Sequence, residues 1–238
     1  MTAKNHALLR QFDDQANVDA LLALPSRVLR EVQAKDRGGR RDAGRVALAL
    51  AVELLIVAPM RIKNLTLLEH DRHLLPTRYG AAPVMHLVLP GEEVKNGEPY
   101  EMPLPKRTAA FLTLFLEDYH HRLTPVPSPW LFPGYGGRQR HPEAFSKEIS
   151  EFVLRETGIR MHVHLFRQLA VKLLLEAHPE DLETARRLLG HASLRTTMRS
   201  YAEVKTASSF RRYDEIIGAR REGAEKRLLL RGRSGGRA

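Results

Sequence analysis

Arg45-Val-Ala-Leu-Ala-Leu-Ala-Val-Glu-Leu-Leu-Ile-Val-Ala-Pro-Met-Arg61 is the stretch on which the fold turns. From Val46 to Val57 it is almost wholly apolar and lacks a polar face, which reads as a helix enclosed by protein on every side. Pro59 ends that helix, because the residue before a proline, here Ala58, is biased away from helical backbone. Arg61 therefore sits just past the end of a core helix.

Outward from this centre the pattern is mostly helical. Val84–Leu89 reads as a short strand, and Tyr100–Leu104 as a second. Between them lies Val94-Lys-Asn-Gly-Glu98, where Asn96-Gly97 is a hairpin signal because both residues tolerate positive φ. Lys106–Leu123 places Phe111, Leu112, Phe115, Leu116 and Tyr119 at helical spacing. Residues 123–137 are rich in proline and glycine and read as loop. Pro142–Thr157 carries Phe145, Ile149, Phe152 and Val153 on one face, with Gly158 as its stop. His164–Ala177 and Leu182–Leu189 read as helices, the second ended by Gly190; Thr197–Val204 and Ser208–Arg221 follow as two more. On the N-terminal side a short helix is expected over Val18–Leu24 and another after Pro25, then a charged, glycine-bearing linker over 35–41. The predicted fold class is mainly α with one small antiparallel β-hairpin or sheet. The chain divides into a short N-terminal segment or linker remnant (1–40), one domain (41–217) and a basic, partly disordered tail (218–238).

Composition narrows the partner. The 238 residues carry a formal net charge of +10 with 43% hydrophobic residues, so the chain can bury a core while its surface attracts polyanions, above all nucleic acid. Beyond Gly218 seven Arg or Lys stand against two Glu, half the excess charge of the whole chain. With no cysteine, disulfides, thiolate catalysis and cysteine-based zinc sites are excluded. The first residues lack an apolar signal core, and no run of eighteen apolar residues occurs. The expectation is a protein of the cytoplasm, associated with the nucleoid, with no membrane partner.

Breaking a phosphodiester without a metal sets specific demands. A nucleophile attacks phosphorus, cations neutralise the non-bridging oxygens, and a general acid protonates the departing 5′ oxygen. Arginine suits the second task, because its planar fork matches phosphate oxygens and stays charged. Lysine or histidine suits the third, and tyrosine can be the nucleophile where cations favour its phenolate. His164-Leu-Phe-Arg167 opens a helix and puts both cationic groups on one face, at an end that favours anions. Leu188-Leu-Gly-His191 exposes a histidine at a helix corner, and Thr196-Thr-Met-Arg-Ser-Tyr201 follows ten residues later.

This order, H-x-x-R, then L-G-H, then a tyrosine after a T-T pair, resembles the signature of the tyrosine recombinases, the phage-integrase family. Their first arginine lies in a box often reading G-[LM]-R-x-x-E-[LI]; Ala58-Pro-Met-Arg-Ile-Lys-Asn-Leu65 is similar to it, with Pro59 where glycine is usual and Asn64 where glutamate is common. The family's catalytic lysine lies in a β-hairpin, and Lys95 is the match. Trp130-Leu-Phe-Pro-Gly134 also resembles a family segment, so the likeness runs from about Arg41 to Ile217. It implies a catalytic-domain fold of the DNA breaking-rejoining type. Tyr201 would attack the scissile phosphate and form a 3′-phosphotyrosyl link. Arg61 and Arg167 would clamp the non-bridging oxygens, Lys95 would be the general acid, His164 would assist proton transfer or hold the phosphate, and His191 would hydrogen-bond it. A second strand's 5′-hydroxyl would then reseal the DNA, with no metal, cofactor or ATP. The implied partner is double-stranded DNA carrying a recombination site, bound by a homotetramer that is weak or monomeric when free. Ser208–Ile217 would be the segment exchanged between neighbours.

Other readings of the same residues remain open. Lys63 or Lys106 can replace Lys95; Arg61 can simply cap the preceding helix. Tyr213 is a rival nucleophile without the T-T context, and Tyr119 reads as core. His162 and His164 form a weak metal pair with no carboxylate set nearby. Family members usually carry a separate helical domain before the catalytic one, and about forty residues are too few to bury its core. The alternatives to a recombinase performing integration or excision are therefore a truncated, catalytically incompetent DNA-binding module of the same fold, or a non-enzymatic helix-turn-helix regulator.

Overall fold

The computed structural model describes residues 3–189, apart from 36, 37, 80, 81 and 96, together with the single residue 217. The helix read from the opening stretch is α3, Arg40–Val57. From Val46 to Val57 it is apolar but for Glu53 because protein encloses it: α2 (Gln15–Lys35), α6 (Lys106–Asp118), α7 (Pro142–Thr157) and α8 (Val163–Ala177) each lie against α3. Leu50, Leu54 and Leu55 are fully buried. Glu53 is buried too, which the apolar reading of this helix passed over; its Oε1 accepts from the Thr108 hydroxyl of α6 at 2.7 Å.

The N-terminal region differs from expectation. Where the sequence suggests two short helices split at Pro25, α2 runs unbroken for 21 residues with the proline inside it. An interior proline removes one backbone bond and costs roughly 3 kcal/mol. Leu21, Leu24, Val28 and Val32 are all at most 3% exposed, and burying four such side chains stabilises the helix by several kcal/mol more than that. Together with α1 (Ala3–Leu9), which supplies Leu9, α2 shares one core with α3 and α7. Residues 3–35 are thus largely helical and packed onto that core.

Short elements follow α3. α4 (Ile62–Leu67) and the single turn α5 (His70–His73) lead into a three-stranded antiparallel sheet of β1 (Leu74–Tyr79), β2 (Ala82–Leu89) and β3 (Tyr100–Pro103), in the order β1-β2-β3. The fold class is as read, mainly helical with a small sheet. Strand β1 was not foreseen, and the β2–β3 connection is longer than the Asn96-Gly97 signal implies. Pairing stops at Leu89↔Tyr100, because the next pair would be Pro90 with Pro99 and neither has an N–H to donate. The connection contains a 3-10 turn at Gly91–Glu93 and a β-turn closed by Gly97 N–H on the Val94 carbonyl at 2.9 Å. A Cβ on Gly91 would lie 2.4 Å from the Gly97 carbonyl oxygen, so position 91 has no room for a side chain, and Gly97, at φ +72°, holds a backbone conformation that favours glycine.

α7 spans the residues expected, and Gly158 ends it at φ +77°. α9 (Leu182–Leu188) packs on α8 through Val171, Leu175, Ala185 and Leu189. The helices expected over Thr197–Val204 and Ser208–Arg221 and the basic tail lie outside the described residues, residue 217 apart.

Charges also tie α2, α3 and α7 together. The Arg45 guanidinium donates to Glu31 Oε2 at 2.7 Å and to Glu156 Oε2 at 2.9 Å, and Arg27 donates to Glu31 Oε1 at 2.8 Å and to the Glu156 carbonyl at 2.9 Å. Arg45 and Arg27 hold the Glu31 carboxyl below its ordinary value. Burial works against ionisation of Glu156, but the Arg45 bonds outweigh it and its pKa is lowered too. A carboxyl with a depressed folded pKa stabilises the fold above its unfolded value and loses that contribution as pH falls through the folded one. The thermal midpoint should therefore drop as pH falls below the ordinary 4.5. Glu156→Gln should cost about 2 kcal/mol at neutral pH, between exposed and buried pairs, and should flatten the acid decline. Thermal melts across pH check this; an unchanged decline in the variant would assign the acid loss to other carboxylates.

Candidate catalytic site

Arg61 leaves α3 behind and occupies the residue preceding α4, with extended backbone at φ −75°, ψ 150°. The residue that closes α3 is Ala58, and the Arg61 side chain makes no capping bond to α4. A cation is disfavoured at a helix N-terminus, so α4 does not explain an arginine here. His164 lies in the first turn of α8 and is exposed, whereas Arg167, one turn on, is only 5% exposed. Lys95 is exposed on the β-turn of the long β2–β3 connection.

These four residues line one cleft of about 880 Å³, with Lys63, Asn64, Glu93, Ser146 and His162 among its other walls. Of the alternative lysines, Lys63 shares the cleft and Lys106, at the start of α6, is not among its lining. A smaller hollow of about 320 Å³ adjoins through Lys63 and Leu67 and adds Gln139, Arg140 and His141. No tyrosine lines the cleft among the described residues. Tyr119 is core at 6% exposed, as read. Tyr100 is pushed up to about 12 by burial, against the opposing pull of Arg167's charge, and is thus a neutral phenol. His191, Tyr201 and the rival Tyr213 lie outside the described residues.

Arg167 points into the protein as well as toward the cleft. Its guanidinium donates to the Pro59 carbonyl at 2.6 Å and to the Leu189 carbonyl at 2.8 Å. It thereby joins the segment entering Arg61, its own helix and the end of α9. His162 precedes α8, and its Nε2 meets Asn5 Oδ1 of α1 at 3.1 Å, so the N-terminal helix supports this wall. The His162 and His164 rings are near parallel, 6° apart, with centroids separated by 6.5 Å. Among the described residues no group of three His, Cys, Asp or Glu is placed to hold a metal ion.

The electrostatics favour an anion. Although His164 keeps an exposed face, the surrounding protein removes part of its hydration, and that loss, followed by the charges of Arg167, His162 and Arg61, lowers it from the ordinary 6.5. Its imidazole is therefore neutral at neutral pH and can accept a proton. The α8 N-terminus adds its own partial positive charge.

Sequence reasoning missed Glu93, His73 and the part played by Asn64. Asn64 Nδ2 donates to the Glu93 carbonyl at 3.0 Å, linking α4 to the loop that carries Lys95. His73 Nε2 meets Glu93 Oε2 at 2.8 Å, and Arg72 meets Oε1 at 2.5 Å. Their separations of some twenty to thirty residues leave no local periodic signal.

A profile of the phage integrase family matches residues 27–208, reaching back into α2. Tyrosine recombinase XerC of Azotobacter vinelandii is 37% identical over 67 residues, which are 28% of this chain and 22% of that protein. XerC of Pseudomonas aeruginosa is 36% identical over 67 residues with the same shares. The match thus spans about a fifth of the length of these curated relatives. Among solved structures, the XerH site-specific recombinase in a post-cleavage complex with palindromic difH substrate aligns with a TM-score of 0.56 at 19% identity, over 81% of this chain and 50% of that one. The XerA recombinase aligns with a TM-score of 0.51 at 15% identity, over 80% of this chain and 60% of that one. At such identities the structural likeness speaks for the fold alone.

Two outcomes follow from the geometry. Arg167→Ala strips partners from two buried carbonyls and should destabilise the protein by about 2–5 kcal/mol, whereas Arg61→Ala should change stability by less than about 0.5 kcal/mol; denaturant melts of both variants compare them. The His164 imidazole, followed by NMR, should titrate below 6.5 in the free protein and shift upward when phosphate is added, since the anion offsets the cations that depress it. A His164 titration unmoved by phosphate would mean the cleft does not take the anion.

Proposed function

The chain belongs to the phage integrase family, and on that premise we propose that it breaks and rejoins double-stranded DNA at specific sites through a 3′-phosphotyrosyl intermediate on Tyr201. The observation that carries this reading is the convergence of Arg61, Lys95, His164 and Arg167, from three separate segments, on one cleft.

In the first step the Tyr201 oxygen attacks the scissile phosphorus as the bond to the 5′ oxygen breaks. Neutral His164 accepts the phenolic proton, which its depressed pKa permits. Arg61 and Arg167 face the charge that grows on the non-bridging oxygens, and His191 donates to one of them. The Lys95 ammonium protonates the departing 5′ oxygen. In the second step the 5′-hydroxyl of another strand attacks the phosphotyrosine and returns the phenol. Each step exchanges one phosphoester for another, so the bond energy is kept and no nucleotide hydrolysis is needed.

The domain doing this work is residues 41–217, with α1 and α2 bracing it and the basic segment 218–238 adding contacts to the DNA backbone. The working form is a homotetramer on two synapsed recombination sites, assembled through Ser208–Ile217, and its place is the nucleoid. No described helix is long and apolar enough to cross a membrane.

The test is covalent trapping. The protein is incubated with a pool of nicked duplexes, randomised around the nick, and adducts surviving denaturant are recovered and sequenced. The expected result is a defined set of sequences joined to the wild-type protein. Tyr201→Phe should give no detectable adduct yet keep DNA binding. Binding without an adduct in the wild type would instead make the chain a DNA-binding module of the same fold.

A further inference from the structure

Lys95 sits on an exposed turn, in a connection whose flanking strands cannot pair past Pro90 and Pro99. A general acid must meet the leaving oxygen within hydrogen-bond reach, and a flexible lysine on a loose loop would forfeit much of its rate. The same loop carries Glu93, two residues earlier, and Glu93 is held from three directions.

Its Oε1 is bound by Arg72 at 2.5 Å and its Oε2 by His73 Nε2 at 2.8 Å. Its backbone carbonyl accepts from Asn64 Nδ2 at 3.0 Å. His73 is fully buried, and its Nδ1 accepts the Glu69 backbone N–H at 2.8 Å. A backbone N–H can only donate, so the neutral ring carries its proton on Nε2 and must give it to Glu93. Asn64 is itself buried and lies on α4, three residues after Arg61. The loop bearing Lys95 is thus clamped to the helix that follows Arg61.

We propose that Glu93 is a positioning residue, gripped by His73, Arg72 and Asn64, that fixes the Lys95 turn so that its ammonium meets the departing 5′ oxygen. This rests on the reading of Lys95 as the general acid. Glu93 acts through the loop and touches no reacting atom.

The leaving group provides the test. Replacing the bridging 5′ oxygen with sulfur makes the leaving group a thiolate, which departs without a proton at neutral pH. The probes are the duplex recovered by trapping, in its oxygen form and its 5′-bridging sulfur form, and the readout is the single-turnover rate of adduct formation. Lys95→Ala should lose about 10²-fold or more on oxygen and return to within about threefold of wild type on sulfur. Glu93→Gln should lose at least about tenfold on oxygen, with the same recovery on sulfur. Arg72→Ala removes an exposed partner of Glu93 that lies outside the cleft lining, so it should fold normally and show the same pattern with a smaller loss. Arg61→Ala should be impaired on both substrates. Wild-type rates for Glu93→Gln and Arg72→Ala on oxygen, or equal losses on both substrates, overturn the positioning role. Failure of sulfur to restore Lys95→Ala instead overturns Lys95 as the acid, and failure to recover any duplex overturns the enzymatic reading beneath both.

Discussion

The Arg167 guanidinium, buried between the carbonyls of Pro59 and Leu189, is the interaction on which the rest of the site depends. Withdrawing a charge from water is expensive unless it is hydrogen-bonded in place. Here the partners are main-chain oxygens from segments 108 and 22 residues away in sequence. A planar fork can bridge two fixed carbonyls; an ammonium on a flexible stem holds them far less well. Pro59 precedes Arg61 by two residues and Leu189 precedes His191 by two. The register of the motif containing Arg61 is thus referred to this one group, and so is the entry to the motif containing His191.

The cleft that results is rich in positive charge. Arg61, Lys63, Lys95 and Arg167 line it, and the first turn of α8 opens into it. Like charges at close quarters repel, and the charges of Arg167 and Arg61 add to loss of hydration in holding His164 below its ordinary value. Among the described lining residues Glu93 is the one acid, and both of its oxygens are engaged by Arg72 and His73. It therefore holds the loop without competing for the cations as a phosphate would. The fold tolerates the repulsion because the buried contacts of α3 are far more extensive than the few kcal/mol at stake.

Much of the fold was legible because it follows local rules. α3 is apolar from Val46 to Val57 but for Glu53, α7 has a clean apolar face and a glycine stop, and α8 begins where the H-x-x-R spacing places it. The errors arose where tertiary burial overrode local preference. Pro25 argues for a break, and only the packing of Leu21, Leu24, Val28 and Val32 shows why α2 continues. Asn96-Gly97 argues for a tight hairpin, and only the facing of Pro90 with Pro99 shows why the strands part early. The placement of Arg61, His164, Arg167 and Lys95 in one cleft followed their motifs. The clamp on Glu93 did not, because hydrogen bonds between residues 64, 73 and 93 leave no periodic trace in the chain.

The two departures from the usual arginine box fall at main-chain contacts, and each makes physical sense there. Position 59 contributes its carbonyl to Arg167; a proline keeps that acceptor, fixes φ, and gives up only an N–H that this contact does not use. Position 64 must give a proton to the Glu93 carbonyl. An ionised glutamate can only accept, so in this chain it would set oxygen against oxygen inside the protein and release the loop that carries Lys95. Asparagine supplies the donor with a side chain short enough to stay buried. With an amide at position 64, the carboxylate in this part of the cleft comes from Glu93 on the facing loop, where Arg72 and His73 hold it. Both changes therefore preserve the placement of the cationic residues.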